Sequence, residues 1–180
     1  EGVLSLIPAL NWHGTAMITV IVNDGFLTDS ETFELTVNSV NDFPTIMLPE
    51  SFTFIEDESL VEDFTVYLDD IDGDALFLTV SDNENVTVQI NGLIVTFGAL
   101  LNFNGSETVT FTVYDGYRQI SSASDELLVE VIPVNDAPVL EEIGDQQTDE
   151  NQILLFDILA SDVDGDEIII EAESDTSDVE

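Results

Sequence analysis

Two five-residue clusters carry most of the chemistry this chain can offer: Asp70-Ile71-Asp72-Gly73-Asp74 and Asp162-Val163-Asp164-Gly165-Asp166. Calcium takes about six to eight oxygen ligands, mainly carboxylates and carbonyls, at about 2.3–2.6 Å. Carboxylates at alternate positions can converge on one ion when a glycine lets the backbone turn tightly between them. Left unneutralised they would repel one another and destabilise the loop, and Asp69 beside the first cluster adds to that repulsion. A bound cation is the economical explanation. The helix-loop-helix calcium site is excluded, because its loop needs glycine at the sixth position and a bidentate glutamate at the twelfth. Counting from Asp70 puts Ala75 and Ser81 there, and counting from Asp162 puts Glu167 and Glu173.

The clusters are one of several landmarks that recur. The second cluster follows the first by 92 residues, and Val40-Asn41-Asp42-Phe43-Pro44 returns as Val134-Asn135-Asp136-Ala137-Pro138 after 94. Asn11-Trp12-His13-Gly14 and Asp24-Gly25 return after 91, as Asn102-Phe103-Asn104-Gly105 and Asp115-Gly116. Several motifs sharing nearly one period mean tandem modules. The expected division is the C-terminal part of one repeat at 1–44, a complete repeat at 45–138, and the N-terminal part of the next at 139–180, as in a window cut from a longer array.

The elements that must position these motifs are strands. In Thr108-Val109-Thr110-Phe111-Thr112-Val113-Tyr114 every second residue is apolar, which puts Val109, Phe111 and Val113 on one face. Ile18, Val20 and Val22 repeat that face, Phe33, Leu35 and Val37 correspond to Leu127, Val129 and Val131, and Phe64 and Val66 to Phe156 and Ile158. Asn91-Gly92 between two such runs predicts a hairpin with a type I′ turn. Strands are predicted at 45–49 and 52–55, which would form one split edge strand, and at 61–68, 75–80, 86–90, 93–97, 108–114 and 126–132. The fold class is therefore all-β: tandem antiparallel β-sandwich modules of immunoglobulin-like size, one complete and two partial.

Composition removes whole classes of function. Thirty-nine acidic residues against one basic residue, Arg118, give a net charge of −38, which repels nucleic acid and anionic membranes. An apolar fraction of 44% argues for buried cores rather than acidic disorder. With no cysteine the chain has no disulfide and no thiolate chemistry, so a metal is the natural staple for an extracellular module. No run approaches the roughly 20 apolar residues of a membrane span, and no contact with a membrane is expected within this segment. The carboxylates recur with the period of the fold instead of gathering once in a cleft, so an enzyme is not expected.

The Val-Asn-Asp-x-Pro linker, the Asp-x-Asp loop and the Asp-Gly after an alternating strand together resemble the cadherin repeat, in the bacterial form of cadherin-like and immunoglobulin-like tandem repeats of large surface adhesins. The resemblance covers the whole chain. It implies Ca2+ at each junction, an extracellular or cell-surface setting, neighbouring repeats of the same chain as partners, and a structural role in which calcium stiffens the array. For the junction after the complete repeat it implies ligation by Glu56 or its neighbours Asp57 and Glu58, by Asp115, by Asn135 and Asp136, and by Asp162, Asp164 and the outer Asp166. For the junction before, it implies Asp24, Asn41, Asp42, Asp70, Asp72 and the outer Asp74. Leu10-Asn11-Trp12-His13 and Leu101-Asn102-Phe103-Asn104 stand where animal cadherins have an acidic Leu-Asp-x-Glu segment, which implies fewer ions per junction. The alternative function is a module that binds polysaccharide or another adhesin, with Tyr117 beside Arg118 as its candidate platform. Calcium at two junctions would offset only part of the net charge, so the remaining acidity reads as a solvated surface or as an adaptation to salt.

Overall fold

The structure is a computed structural model that describes residues 2–81, 83–116 and 121–175. Thirteen strands and one short 3-10 turn make up its regular structure, with no α-helix among the described residues. The strands are β1 (Gly14–Asn23), β2 (Thr28–Val37), β3 (Thr45–Ile46), β4 (Ser51–Ile55), β5 (Leu60–Asp63), β6 (Leu68–Asp69), β7 (Phe77–Ser81), β8 (Val86–Asn91), β9 (Ile94–Ala99), β10 (Gly105–Tyr114), β11 (Ser122–Ile132), β12 (Val139–Leu140) and β13 (Ala160–Ser161).

Residues 45–132 form a sandwich. One sheet has the order β4-β11-β10-β7 and the other β5-β9-β8, with a small β3-β6 pair beside them. The alternation in β10 and β11 decides which face is inside: Val109, Phe111, Val113, Leu127 and Val129 are wholly buried and Val131 nearly so. Phe64, Phe97 and Phe111 fill the centre at ring separations of 4.8–6.3 Å, the range of favourable aromatic pairs. The outward threonines of β10 stay on the solvent side, where Thr112 shares a 2.8 Å hydrogen bond with Ser124.

Several expectations are corrected. The split edge strand exists, with β3 pairing β6 and β4 pairing β11, but β4 runs parallel to β11 in an otherwise antiparallel sandwich. The run at 61–68 is broken by a 3-10 turn at Phe64–Val66, because the Asp63 carboxylate accepts from both the backbone N–H and the hydroxyl of Thr65. That turn drives Phe64 into the core and leaves Val66 74% exposed, so the two do not share an inward face. At the β8–β9 hairpin Asn91 pairs with Ile94, and Gly92 at φ +64 opens the two-residue loop. Asn91 is therefore the last strand residue and not a turn residue, because glycine takes the positive φ alone.

The flanking regions repeat local details of the sandwich. Asn11 and Asn102 both stand at φ +57, Gly14 and Gly105 at +132 and +128, and Gly73 and Gly165 at +74 and +79. The β12–β13 pair matches β3–β6, down to the neighbouring bonds from Glu141 N to Leu159 O and from Met47 N to Tyr67 O, both 2.9 Å. β1 and β2 pair as one long hairpin in the manner of β10 and β11.

Candidate metal-binding junctions

Both acidic clusters fold into the same small loop. Asp70 Oδ1 accepts the backbone N–H groups of Asp72 and Asp74, at 3.0 and 3.2 Å, and Asp162 Oδ1 accepts those of Asp164 and Asp166, at 3.0 and 3.1 Å. Gly73 and Gly165 take positive φ, as a tight turn between converging carboxylates requires. The linker then clasps the loop: the Asp42 N–H donates to Asp72 Oδ2 at 2.6 Å, and the Asp136 N–H donates to Asp164 Oδ2 at 2.7 Å. Asn41 and Asn135 each turn their side-chain NH2 onto the carbonyl of the following aspartate at 2.8 Å. Each linker thus donates to the loop 28–30 residues downstream.

What the neighbouring ends add differs. At the upper junction Asp115, only 4% exposed, accepts from Asn41 Nδ2 at 2.8 Å and from the Ser121 hydroxyl. At the lower junction Glu56, 2% exposed, accepts the Val134 N–H and stands 3.5 Å from Asn104 Nδ2. Asp57 joins Glu56 in repelling Asp136, whereas Glu58 is exposed and its backbone N–H only closes the turn onto Ile55.

Two ligand assignments are corrected by strand geometry. Asp115 follows β10 at the turn into β11, while Asn135 and Asp136 follow the far end of β11. Ten extended residues span about 33 Å, so Asp115 belongs with Asn41 and the 70–74 loop, at the opposite pole from Asn135. By the same reasoning Asp24, in the β1–β2 turn, is a hairpin length away from Asn41. It instead accepts the N–H groups of Phe26 and Leu27 at 2.9 and 2.8 Å, and those bonds hold its carboxyl below the usual value.

Electrostatics mark both junctions. Desolvation, followed by the charges of Asp70, Asp115 and Asp72, raises Asp74; desolvation, followed by Asp57, Asp164, Glu56 and Asp162, raises Asp136. Asp70 Oδ2 and Asp136 Oδ2 are buried without a hydrogen-bond partner. A buried carboxylate oxygen with no donor is costly. The donor set is all oxygen, the preference of calcium or magnesium over zinc. Among the described residues no three acidic, histidine or cysteine side chains form a ready metal site. Coordination would have to draw on Asn oxygens and backbone carbonyls as well as carboxylates.

Below the upper clasp, Asn11, Trp12, His13, residues 37–40, Asp42 and Asp72 line an open cleft of about 240 Å³. Trp12 faces this cleft at 40% exposure, while its counterpart Phe103 packs against the sandwich core. Sequence reasoning missed Ser121. It lies in a loop three residues longer than the Asp24 turn, and that length difference was its only signal. The candidate platform Tyr117 and Arg118 lies outside the described residues.

Comparison with known proteins agrees with this architecture. Residues 41–126 match the family model of the bacterial Ig domain. A human mucin-like protocadherin, repeats EC1-2, superposes at a TM-score of 0.55 with 18% identity over 73% of this chain and 74% of its own, a likeness in fold. An endo-fucoidan hydrolase of glycoside hydrolase family 107 superposes at 0.40, with 22% identity over 71% of this chain. This chain spans about 20% of that hydrolase. A nucleoside hydrolase-related protein of Saccharophagus degradans gives 0.42 at 14% identity over 52% of this chain and 26% of its own. Likenesses at that level carry no argument about activity. No curated protein matches the chain in sequence.

Proposed function

We propose that this chain is a stretch of tandem sandwich modules, divided at 1–44, 45–138 and 139–180, in a large extracellular or cell-surface adhesin, and that calcium bound at the junctions stiffens the array. The observation that carries the reading is the duplicated clasp: two linkers gripping two Asp-x-Asp loops in one geometry, each with a buried carboxylate oxygen lacking a partner. Asp70, Asp72, Asp74, Asn41, Asp42 and Asp115 would hold the ion at the upper junction. Glu56, Asp57, Asn135, Asp136, Asp162, Asp164 and Asp166 would hold it at the lower one. Bound calcium would cancel repulsion among these carboxylates and bridge linker to loop.

The bacterial Ig match and the protocadherin fold support a spacer rather than a catalyst, with neighbouring modules as its partners. No helix of the described residues is long and apolar enough to cross a membrane. Extracellular calcium modules bind at about 10⁻⁴–10⁻³ M, and a site held at a hundred times its dissociation constant contributes about 2.7 kcal/mol. Thermal melting with calcium and with chelator tests the proposal. A stabilisation on the order of 10 °C is expected, and a difference of less than about one degree rules the reading out.

A further inference from the structure

On the outer face of the β4-β11-β10-β7 sheet, at the pole where β10 turns into β11, six uncharged side chains lie together. Pairing sets Phe77, Tyr114 and Ser122 side by side across β7, β10 and β11, and the next row on the same face holds Thr79, Thr112 and Ser124. Such a patch stands out on a chain with 39 acidic residues. The Phe77 and Tyr114 rings stack with 5.7 Å between centroids and 16° between planes, and Phe77 is 49% exposed. Gly116 seats the pair, since a side chain there would meet the Phe77 ring at 3.2 Å, whereas the equivalent Gly25 has nothing within reach. Thr79, Thr112, Tyr114 and Ser122 line an open groove of about 260 Å³. Neither flanking repeat has the patch, so the fold does not require it. The counterparts of Phe77 and Thr79 are Ile169 and Glu171, and those of Tyr114 and Thr112 are Asn23 and Ile21. A neighbouring module does not cover this row either: Ile169 follows a complete sandwich and is still 80% exposed.

We infer that this patch binds a neutral polysaccharide, with one sugar ring in the groove against Tyr114. A pyranose has C–H groups on its faces and hydroxyls around its rim, so it needs an apolar plane edged by groups that both donate and accept hydrogen bonds. Tyr114, braced by Phe77, supplies the plane. Threonine and serine hydroxyls supply the edge. Thr112 and Ser124 share a 2.8 Å hydrogen bond and the Thr79 hydroxyl donates to the Thr112 carbonyl at 3.3 Å, which holds these hydroxyls in place and leaves lone pairs to accept from a sugar. The groove is smaller than the roughly 300–1,000 Å³ that drug-sized ligands fill, so it takes one ring of a polymer and leaves the adjoining rings in solvent. Charge decides the class: at −38 the chain repels sulfated and uronic polymers. The inference does not rest on calcium, because the patch uses none of the junction carboxylates.

Affinity electrophoresis of the full chain tests this, in gels containing galactomannan, xyloglucan, mixed-linkage β-glucan or dextran, with alginate as the anionic control. At least one neutral polymer should retard the chain, and alginate should not. Phe77→Thr combined with Tyr114→Thr removes both rings while keeping good strand formers, and retardation should be lost. Thr112→Val keeps the side-chain shape and removes one hydroxyl, so retardation should weaken; it carries the test if the double substitution lowers the melting temperature. Retardation by none of the neutral polymers overturns the inference, as does retardation by alginate alone or unchanged retardation of both variants. Sedimentation reads the rival occupant, a second copy of the chain. A gain in mass with concentration that the double variant loses, with no retardation in any gel, assigns the patch to self-association and overturns glycan binding. The calcium response of the melting temperature reads the junctions separately, and its absence would sink the proposed function while leaving this inference standing.

Discussion

The upper and lower junctions share one device and differ in everything around it. Linker, loop and glycine are common to both, with matching bonds differing by 0.1 Å at most, whereas the buried oxygen without a partner lies on the loop, at Asp70, in the upper junction and on the linker, at Asp136, in the lower. The upper clasp is backed by the top of the sandwich that follows it, through Asp115 and Ser121. The lower clasp is backed by the base of the sandwich that precedes it, through Glu56. The comparison teaches that a junction has three contributors: the base of one module, the linker with its loop, and the cap of the next. Each junction here displays two of them strongly. The local sequence dictates the clasp, whereas base and cap residues arrive only when a whole sandwich is folded beside it.

The largest expected effect comes from removing the shared device. Replacing Asp70 and Asp162 together by Asn keeps an acceptor for the loop N–H groups but removes the charge at both sites. The calcium-dependent rise in melting temperature should vanish, and a residual rise above half the original would show that the ions sit elsewhere.

Splitting the comparison, Asp136→Asn should abolish the lower junction's share of the calcium response while raising stability in chelator, since it relieves desolvation and repulsion by Asp57 and Asp164. The same cause gives a pH signature. Asp74 and Asp136 have native pKa values raised above 3.8, so their stabilising share is full below that value and lost as pH rises through the raised one. Melting in chelator should therefore improve on mild acidification from neutral. It should decline again at lower pH, where Asp24, Asp63 and Glu107, whose pKa values are lowered, take up protons. With saturating calcium, acid should only destabilise, because protons displace the ion. Parallel curves in the two conditions would contradict this account.

A smaller and calcium-independent loss is expected at Glu107. Its carboxylate accepts the backbone N–H groups of Glu84, Asn85 and Val86, which outweigh desolvation and lower its pKa. Glu107→Gln should cost about 1 kcal/mol in chemical denaturation with or without calcium. Smallest of all, Asp24→Asn should leave calcium affinity unchanged while Asp115→Asn weakens it, although the two occupy equivalent positions in the repeat. Equal effects in a calcium titration would restore the grouping that strand geometry rejects.

Much of this was legible in the chain. Strict alternation in 108–114 and 126–132 named the buried face residue by residue, because a sheet with one dry side leaves no other register. Linker and loop were legible as partners because each linker ends one repeat and the loop that opens the next follows at a nearly constant spacing. Asp24 and Asp115 were misassigned because sequence distance to the linker ignores that a hairpin carries its turn to the far pole. The break at Phe64 was hidden because Asp63 stops the strand with a side-chain hydrogen bond inside an apolar run, a local competition that hydrophobic periodicity does not register. Ser121 was invisible because it lies in the lengthened loop and has no counterpart in the first hairpin.

The most direct test of calcium at these junctions is a crystal structure of the chain grown in calcium, with anomalous scattering locating the ions. The account predicts a peak within about 2.3–2.6 Å of Asp70 Oδ2 and another at Asp136 Oδ2. Saturating calcium with no peak at either oxygen would contradict it.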